Sequence, residues 1–188
     1  MSTVESTRGA GSSIPTGEWA VDPARSSVGF SLKHLLFTTL HGHFTEFGGA
    51  LSATRGELRA SGTVTAASVQ TGDAVRDSHL RDSADFFGLE GHPQISFSSS
   101  RVQQLDGGRI RVAGELQMRG ISREVELDGE MRLAGEAGEE RIELDLQGEV
   151  SREDFGLTWN QTLDTGGALL GKRVKIELGI AAVRRETG

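Results

Sequence analysis

The segment RIRVAGELQM, Arg109 to Met118, puts Ile110, Val112, Gly114, Leu116 and Met118 on one face and Arg109, Arg111, Glu115 and Gln117 on the other. Three further stretches repeat the pattern. Val125, Leu127, Gly129, Met131 and Leu133 alternate with Glu124, Glu126, Asp128, Glu130 and Arg132, and Ile142, Leu144, Leu146, Gly148 and Val150 alternate with Arg141, Glu143, Asp145, Gln147 and Glu149. The last is Val174, Ile176, Leu178, Ile180 and Ala182. A period of two with one charged face predicts antiparallel strands, wet on one side and dry on the other. The dry face needs a cover, and no amphipathic helix long enough to supply one is visible. The sheet is therefore expected to close on itself as a barrel or fold over as a sandwich.

Turn signals divide the remainder into further strands. Trp19 and Val21 open a strand that breaks at Asp22-Pro23, and Val28, Phe30, Leu32 and His34 then alternate with Gly29, Ser31 and Lys33. Leu35 to Leu40 loses the alternation and reads as a short helix or lid. Strands resume over Phe44 to Leu51 and Leu58 to Ala66, on either side of a turn at Thr54 to Gly56. Ala67 to Leu89 has no period of two and reads as a crossover with one or two short helices. Ile95 to Val102 restarts the sheet, with turns expected at Asp106-Gly107-Gly108, Gly120, Ala134 to Glu139 and the Gly-rich Asp164 to Gly171. About eight strands result, the number at which a closed barrel holds side chains or one small ligand. The domain is expected over residues 17–183, between a flexible tail at 1–16 and a short one at 184–188.

Composition narrows the function. A chain of 188 residues fits one domain with a real core or an enclosed space. A net charge of −7, with basic residues scattered among acids, argues against nucleic acid or an anionic membrane as main partner. Without cysteine there is no disulfide framework, thiolate nucleophile or cysteine-based zinc site. Residues 1–16 lack the apolar stretch of a signal peptide, and no run could span a bilayer, so a cytoplasmic protein without stable membrane insertion is expected.

Gly48, Gly62, Gly114, Gly129 and Gly148 are all read on the inward parity of their strands, where a filled core would carry Val, Ile or Leu. They either relieve barrel corners or leave space for a ligand. An apolar space with few polar residues suits a long hydrocarbon whose polar end stays near the mouth.

The order of motifs resembles the YceI-like family of lipocalin-like, polyisoprenoid-binding proteins. The resemblance rests on Trp19-Ala-Val-Asp-Pro23, Ser27 to His34, Gly42-His-Phe44, Thr71-Gly72, Arg76-Asp-Ser-His-Leu-Arg81 and Asp85-Phe-Phe87. It continues through His92 to Ser98, Gly114 to Gly120, Arg152-Glu-Asp-Phe-Gly-Leu157 and Leu170-Gly-Lys-Arg-Val174. Two positions depart from the family pattern: Arg25, where histidine is usual, and Lys172-Arg173, where acids are common. The resemblance implies an all-β protein, a single extended antiparallel barrel whose tunnel takes the tail of an isoprenoid quinone or a polyprenyl phosphate-like lipid.

On that reading the ligand-binding residues are Phe30, Leu32, His34, Phe37, Phe44, Phe86, Phe87, Val112, Gly114, Leu116, Leu127, Gly129, Leu144, Trp159 and Ile176. His34, inward at a strand end, is either a satisfied core histidine or a hydrogen-bond donor to a quinone carbonyl or phosphate. Arg76, Asp77 and His79 form either a headgroup site or a clip fixing the crossover. His41 and His43 lack further ligands at fixed spacing, so no metal is expected. Ser, His and Asp occur without a nucleophile elbow or an ordered triad. No cofactor is required beyond the bound lipid. The expected role is a carrier, store or protector of that lipid. The alternatives are an enzyme acting on it, through His34 or Arg76 with Asp77, and a β-sandwich interaction module. A homodimer is left open.

Overall fold

The computed structural model describes residues 14–88, 90–136 and 138–186. Its strands are β1 (Gly17–Val21), β2 (Ser27–His34), β3 (Thr38–Phe44), β4 (Phe47–Thr54), β5 (Glu57–Thr65), β6 (Val69–Gln70), β7 (Gln94–Gln104), β8 (Arg109–Met118), β9 (Ile121–Ala134), β10 (Arg141–Ser151) and β11 (Leu170–Arg184). Helix α1 (Ala74–Asp82) lies in the crossover between β6 and β7, and a 3-10 turn at Ala66–Ser68 precedes β6.

The strands β1, β4, β5, β7, β8, β9, β10 and β11 pair antiparallel in that order, and β11 returns to β1 through Trp19↔Arg184, Ala20↔Val183 and Val21↔Ala182. The β1–β11 pairing closes these eight strands into a ring. The four alternating stretches become β8, β9, β10 and β11, with Val112 opposite Leu127 and Leu146 opposite both Gly129 and Leu178.

Three more strands extend the sheet from the other half of β11, in the order β2, β3, β6. The cause is local. Pro23 cannot donate to a ladder and starts a 3-10 turn, with the Asp22 carboxylate accepting from the Ala24 amide at 3.0 Å. Ser26 then docks the chain back on β11, its hydroxyl accepting from the Ala181 amide at 2.9 Å. Thus β1 pairs with β11 near Arg184, and β2 pairs with it from Gly179 to Leu170.

Two expectations for local structure are corrected. Leu35 and Leu36 form a tight turn at φ of 52° and 66°, and Thr38–Leu40 already belong to β3, so there is no helix or lid. The strand expected over Phe44 to Leu51 is broken by a corner at Thr45-Glu46, where the buried Ser68 hydroxyl accepts from both amides at 3.2 and 3.0 Å. At Arg119-Gly120 both φ values are positive, as a two-residue hairpin turn matched to strand twist requires.

The core has two parts. Trp19, Ile110 and Ile142, each at most 1% exposed, pack with Leu51, Leu58, Leu127 and Leu144 at the end that carries the β4–β5, β7–β8 and β9–β10 turns. Phe44, Val69, Ile95, Leu116, Val125 and Phe155 form the second cluster beneath α1. The tail expected at residues 1–16 falls on 1–13 outside the described residues, whereas Ile14 packs on the first cluster and the Thr16 carbonyl accepts from Arg184. Arg184 itself ends β11, with its guanidinium 5.4 Å from the centre of the Trp19 ring, and 187–188 lie outside the described residues.

Candidate functional site

Between the two clusters the barrel encloses a cavity of about 570 Å³. Inward side chains of successive strands build its wall: Phe30 and Leu32 from β2, Phe44 from β3, Val112 and Leu116 from β8, Leu127 from β9, Leu144 from β10 and Ile176 from β11. Phe86, Phe87 and Trp159 reach it from the connecting segments, and His34 lines it from the end of β2. Aromatic rings gather at the α1 end. Phe44 lies 5.6 Å from Phe30 and 5.9 Å from Phe87, and His79, Phe86 and Trp159 stand mutually within 5.4 to 5.7 Å.

Three residues expected in the lining lie elsewhere. Phe37 is 92% exposed, because the left-handed Leu35-Leu36 turn carries it outward. Gly114 and Gly129 face inward yet leave no vacancy. A Cβ on Gly114 would meet the Ser98 carbonyl oxygen at 2.4 Å and the Phe97 ring at 2.6 Å, and one on Gly129 would stand 1.8 Å from the Asp145 carbonyl oxygen. Gly148 is likewise covered, by Leu127 at 2.5 Å. These glycines let strands and neighbouring side chains approach closely, which is neither a vacancy nor the expected corner. On β4 the inward parity belongs to Leu51 and Ala53, so Gly49 faces in and Gly48 does not, correcting the earlier assignment. Gly62 is inward, lines the cavity, and has only the Gly48 carbonyl oxygen, at 3.3 Å, near a Cβ.

The polar cluster at α1 divides. Asp77 Oδ1 accepts from the Thr71 amide at 2.9 Å and the Thr71 hydroxyl at 2.5 Å, while Arg76 Nε donates to that hydroxyl at 2.7 Å and Nη2 to the Thr71 carbonyl at 3.0 Å. Asp73 caps the helix by accepting from the Arg76 amide at 2.9 Å, and that bond holds its carboxyl below the usual range. Arg76 and Asp77 are thus engaged as a clip on the crossover. Arg76 and His79 also line the cavity mouth. The His34 imidazole has no hydrogen-bond partner among the described residues, and the same residues hold no trio of His, Asp or Glu able to bind a metal ion.

One residue of the lining was read only as part of a motif. Arg152 is 3% exposed in the turn after β10. Its Nε donates to Gly171 O at 2.8 Å, and Nη1 donates to Leu157 O and Trp159 O at 2.5 and 2.9 Å. Burial pulls its pKa below the ordinary arginine value, opposed by Glu153. A signal was present: Arg152 continues the inward parity of Ile142, Leu144, Leu146, Gly148 and Val150.

The YceI-like domain family matches residues 19–182. This chain belongs to the YceI-like family. A UPF0312 protein of Staphylococcus aureus is 33% identical over 162 residues, covering 83% of this chain and 91% of the relative. The Campylobacter jejuni YceI protein superposes with a TM-score of 0.69 at 26% identity, over 82% of this YceI-like chain and 90% of that one. BcnA of Burkholderia cenocepacia gives 0.71 at 22% identity, over 86% and 98%. A polyisoprenoid binding domain from Saccharophagus degradans gives 0.65 at 16% identity, over 89% and 98%. The last two share the fold.

Proposed function

We propose that this YceI-like barrel binds one long isoprenoid lipid and acts as its carrier, store or protector, as a binding protein rather than an enzyme. The observation that carries the reading is the cavity itself: about 570 Å³ walled mainly by Leu, Ile, Val and Phe, with His34, Asp73, Arg76, His79 and Arg152 as its ionisable lining at the α1 end. Such a space forfeits dispersion contacts when empty. The Saccharophagus domain, named for polyisoprenoid binding, has the same fold and supports the choice of ligand class.

Volume bounds the tail. An apolar cavity of about 150 Å³ takes one benzene, so this one takes roughly twenty carbons, or four isoprene units. Phe30, Phe44, Phe86, Phe87, Val112, Leu116, Leu127, Leu144, Trp159 and Ile176 would contact the tail. The test is organic extraction of protein purified without detergent, with mass spectrometry of the extract, followed by titration of a prenyl chain against a straight fatty chain of equal carbon number. A retained prenyl lipid and tighter binding of the branched chain are expected. Equal affinity for both would refute the isoprenoid assignment.

A further inference from the structure

Arg152 is a cation held away from water in the cavity lining, and among the described residues no carboxylate pairs with it. Glu153, the acid that opposes the lowering of its pKa, has its carboxylate 3.3 Å from Lys172 and 40% of its side chain exposed. Three of the five N–H groups of Arg152 are taken by the carbonyls of Gly171, Leu157 and Trp159. The Nη2 edge is different. Its one acceptor among the described residues is Leu170 O at 3.5 Å, a carbonyl that Asn160 Nδ2 already engages at 2.8 Å. Carbonyl dipoles satisfy donors, yet they do not neutralise a buried charge, and an uncompensated buried charge is costly.

The surroundings add two imidazoles. His34 is the register partner of Leu170, whose carbonyl lies at Nη2. His79 stands 5.7 Å from the ring of Trp159, whose carbonyl holds Nη1. We infer that the mouth is an anion site in which Arg152 Nη2 receives a phosphate-class headgroup, so that the lipid is a prenyl phosphate rather than a neutral prenol or quinone. The inference rests on the isoprenoid reading of the cavity. The guanidinium supplies the charge, the apolar wall takes the tail, and the solvent side of the mouth hydrates the remaining phosphate oxygens. A charge-assisted hydrogen bond to a fixed guanidinium is among the stronger single contacts a lipid headgroup can make.

The test compares a twenty-carbon prenyl alcohol, its monophosphate and inorganic phosphate by equilibrium binding to the full chain. The wild type should bind the monophosphate at least about 10-fold more tightly than the alcohol at low salt, the scale of a hydrogen bond to a charged group. Inorganic phosphate alone should bind far more weakly than either. In Arg152→Gln the preference for phosphate over alcohol should fall to near unity while the alcohol still binds. Because Arg152 also ties the chain around Leu157, Trp159 and Gly171, the ratio within each protein is read rather than the absolute affinity. If the variant does not fold, the wild-type ratio carries the test.

Equal wild-type affinity for alcohol and monophosphate would overturn the anion site, as would an unchanged preference in Arg152→Gln. Inorganic phosphate binding as tightly as the prenyl phosphate would overturn the lipid headgroup in favour of free phosphate. Failure of all prenyl chains to bind would instead strike the isoprenoid reading.

Discussion

Gly62→Leu should block the cavity without unfolding the barrel. Gly62 shares the inward face of β5 with Leu58, Ala60 and Val64, and a Cβ there meets one atom, the Gly48 carbonyl oxygen at 3.3 Å, so a small relaxation admits it. Glycine in a strand interior is weakly destabilising in itself, so the stability cost should stay under ~1 kcal/mol. The isobutyl group would displace about four ligand carbons; at ~0.8 kcal/mol per buried methylene, affinity should fall by roughly 3 kcal/mol, or more than 100-fold. Gly129→Ala gives the opposite outcome. A methyl 1.8 Å from the Asp145 carbonyl oxygen forces β9 from β10 and should cost at least ~2 kcal/mol. Both effects are read by urea denaturation and by titration of a prenyl lipid against intrinsic tryptophan fluorescence. A Gly62→Leu protein that binds as the wild type does, or one as unstable as Gly129→Ala, would show that the space beside Gly62 is not where the lipid lies.

Phe37→Ser should leave the dissociation constant for a prenyl lipid within about twofold, since the ring is 92% exposed and outside the cavity; a larger loss on titration would return Phe37 to the binding site. Asp77→Ala should cost ~1 to 3 kcal/mol in urea unfolding, because the Thr71 amide and hydroxyl both lose their acceptor, and should affect lipid binding less than Gly62→Leu does. Hydrogen bonds from Arg132 and Arg141 hold the Glu143 carboxyl below its ordinary value of 4.5. Its contribution is therefore full above that value and is lost as pH falls through the lowered one, so Glu143→Gln should flatten the acid limb of stability measured by urea midpoints. An acid limb as steep as the wild type's would place the titrating group elsewhere.

The barrel was legible where alternation is strict. The inward sets of β8, β9 and β10 follow from parity through the middle of each strand, whereas at the end of β9 Leu133, read as inward, is 39% exposed, and Ala113 on the outward parity of β8 is buried. What escaped depends on partners distant in the chain. Nothing near Thr45 marks a corner, since the hydroxyl that receives its amide belongs to Ser68. Whether an inward glycine is a vacancy depends on the strand beside it. Phe97 covers Gly114, Leu127 covers Gly148, and Phe30 lies across Gly42 in the opposite register position, with its ring 2.3 Å from where a Cβ would be. Arg152 was within reach of parity, but an arginine at the end of an oily face reads as the point where a strand leaves the core. Its burial depends on carbonyls of residues 157, 159 and 171, which the sequence does not bring together visibly.

The break at Asp22-Pro23 also bears on which end of the cavity takes which end of a lipid. Near Trp19 the ring holds eight strands, with β1 joining β4 to β11. Toward α1, β11 has exchanged β1 for β2, and β2 carries β3 and β6 with it, so more strands share the circumference. Barrel diameter grows with strand number, and the section therefore widens from the Trp19 end toward α1. The narrow end is filled by Trp19, Ile110 and Ile142 and suits the tip of a tail. The wide end holds His34, His79 and Arg152, with room for a headgroup and water. Reversing the lipid would put its polar group against tightly packed apolar side chains, where the donor left without a partner is the indole Nε1 of the fully buried Trp19, so the break after β1 favours one orientation, headgroup toward α1.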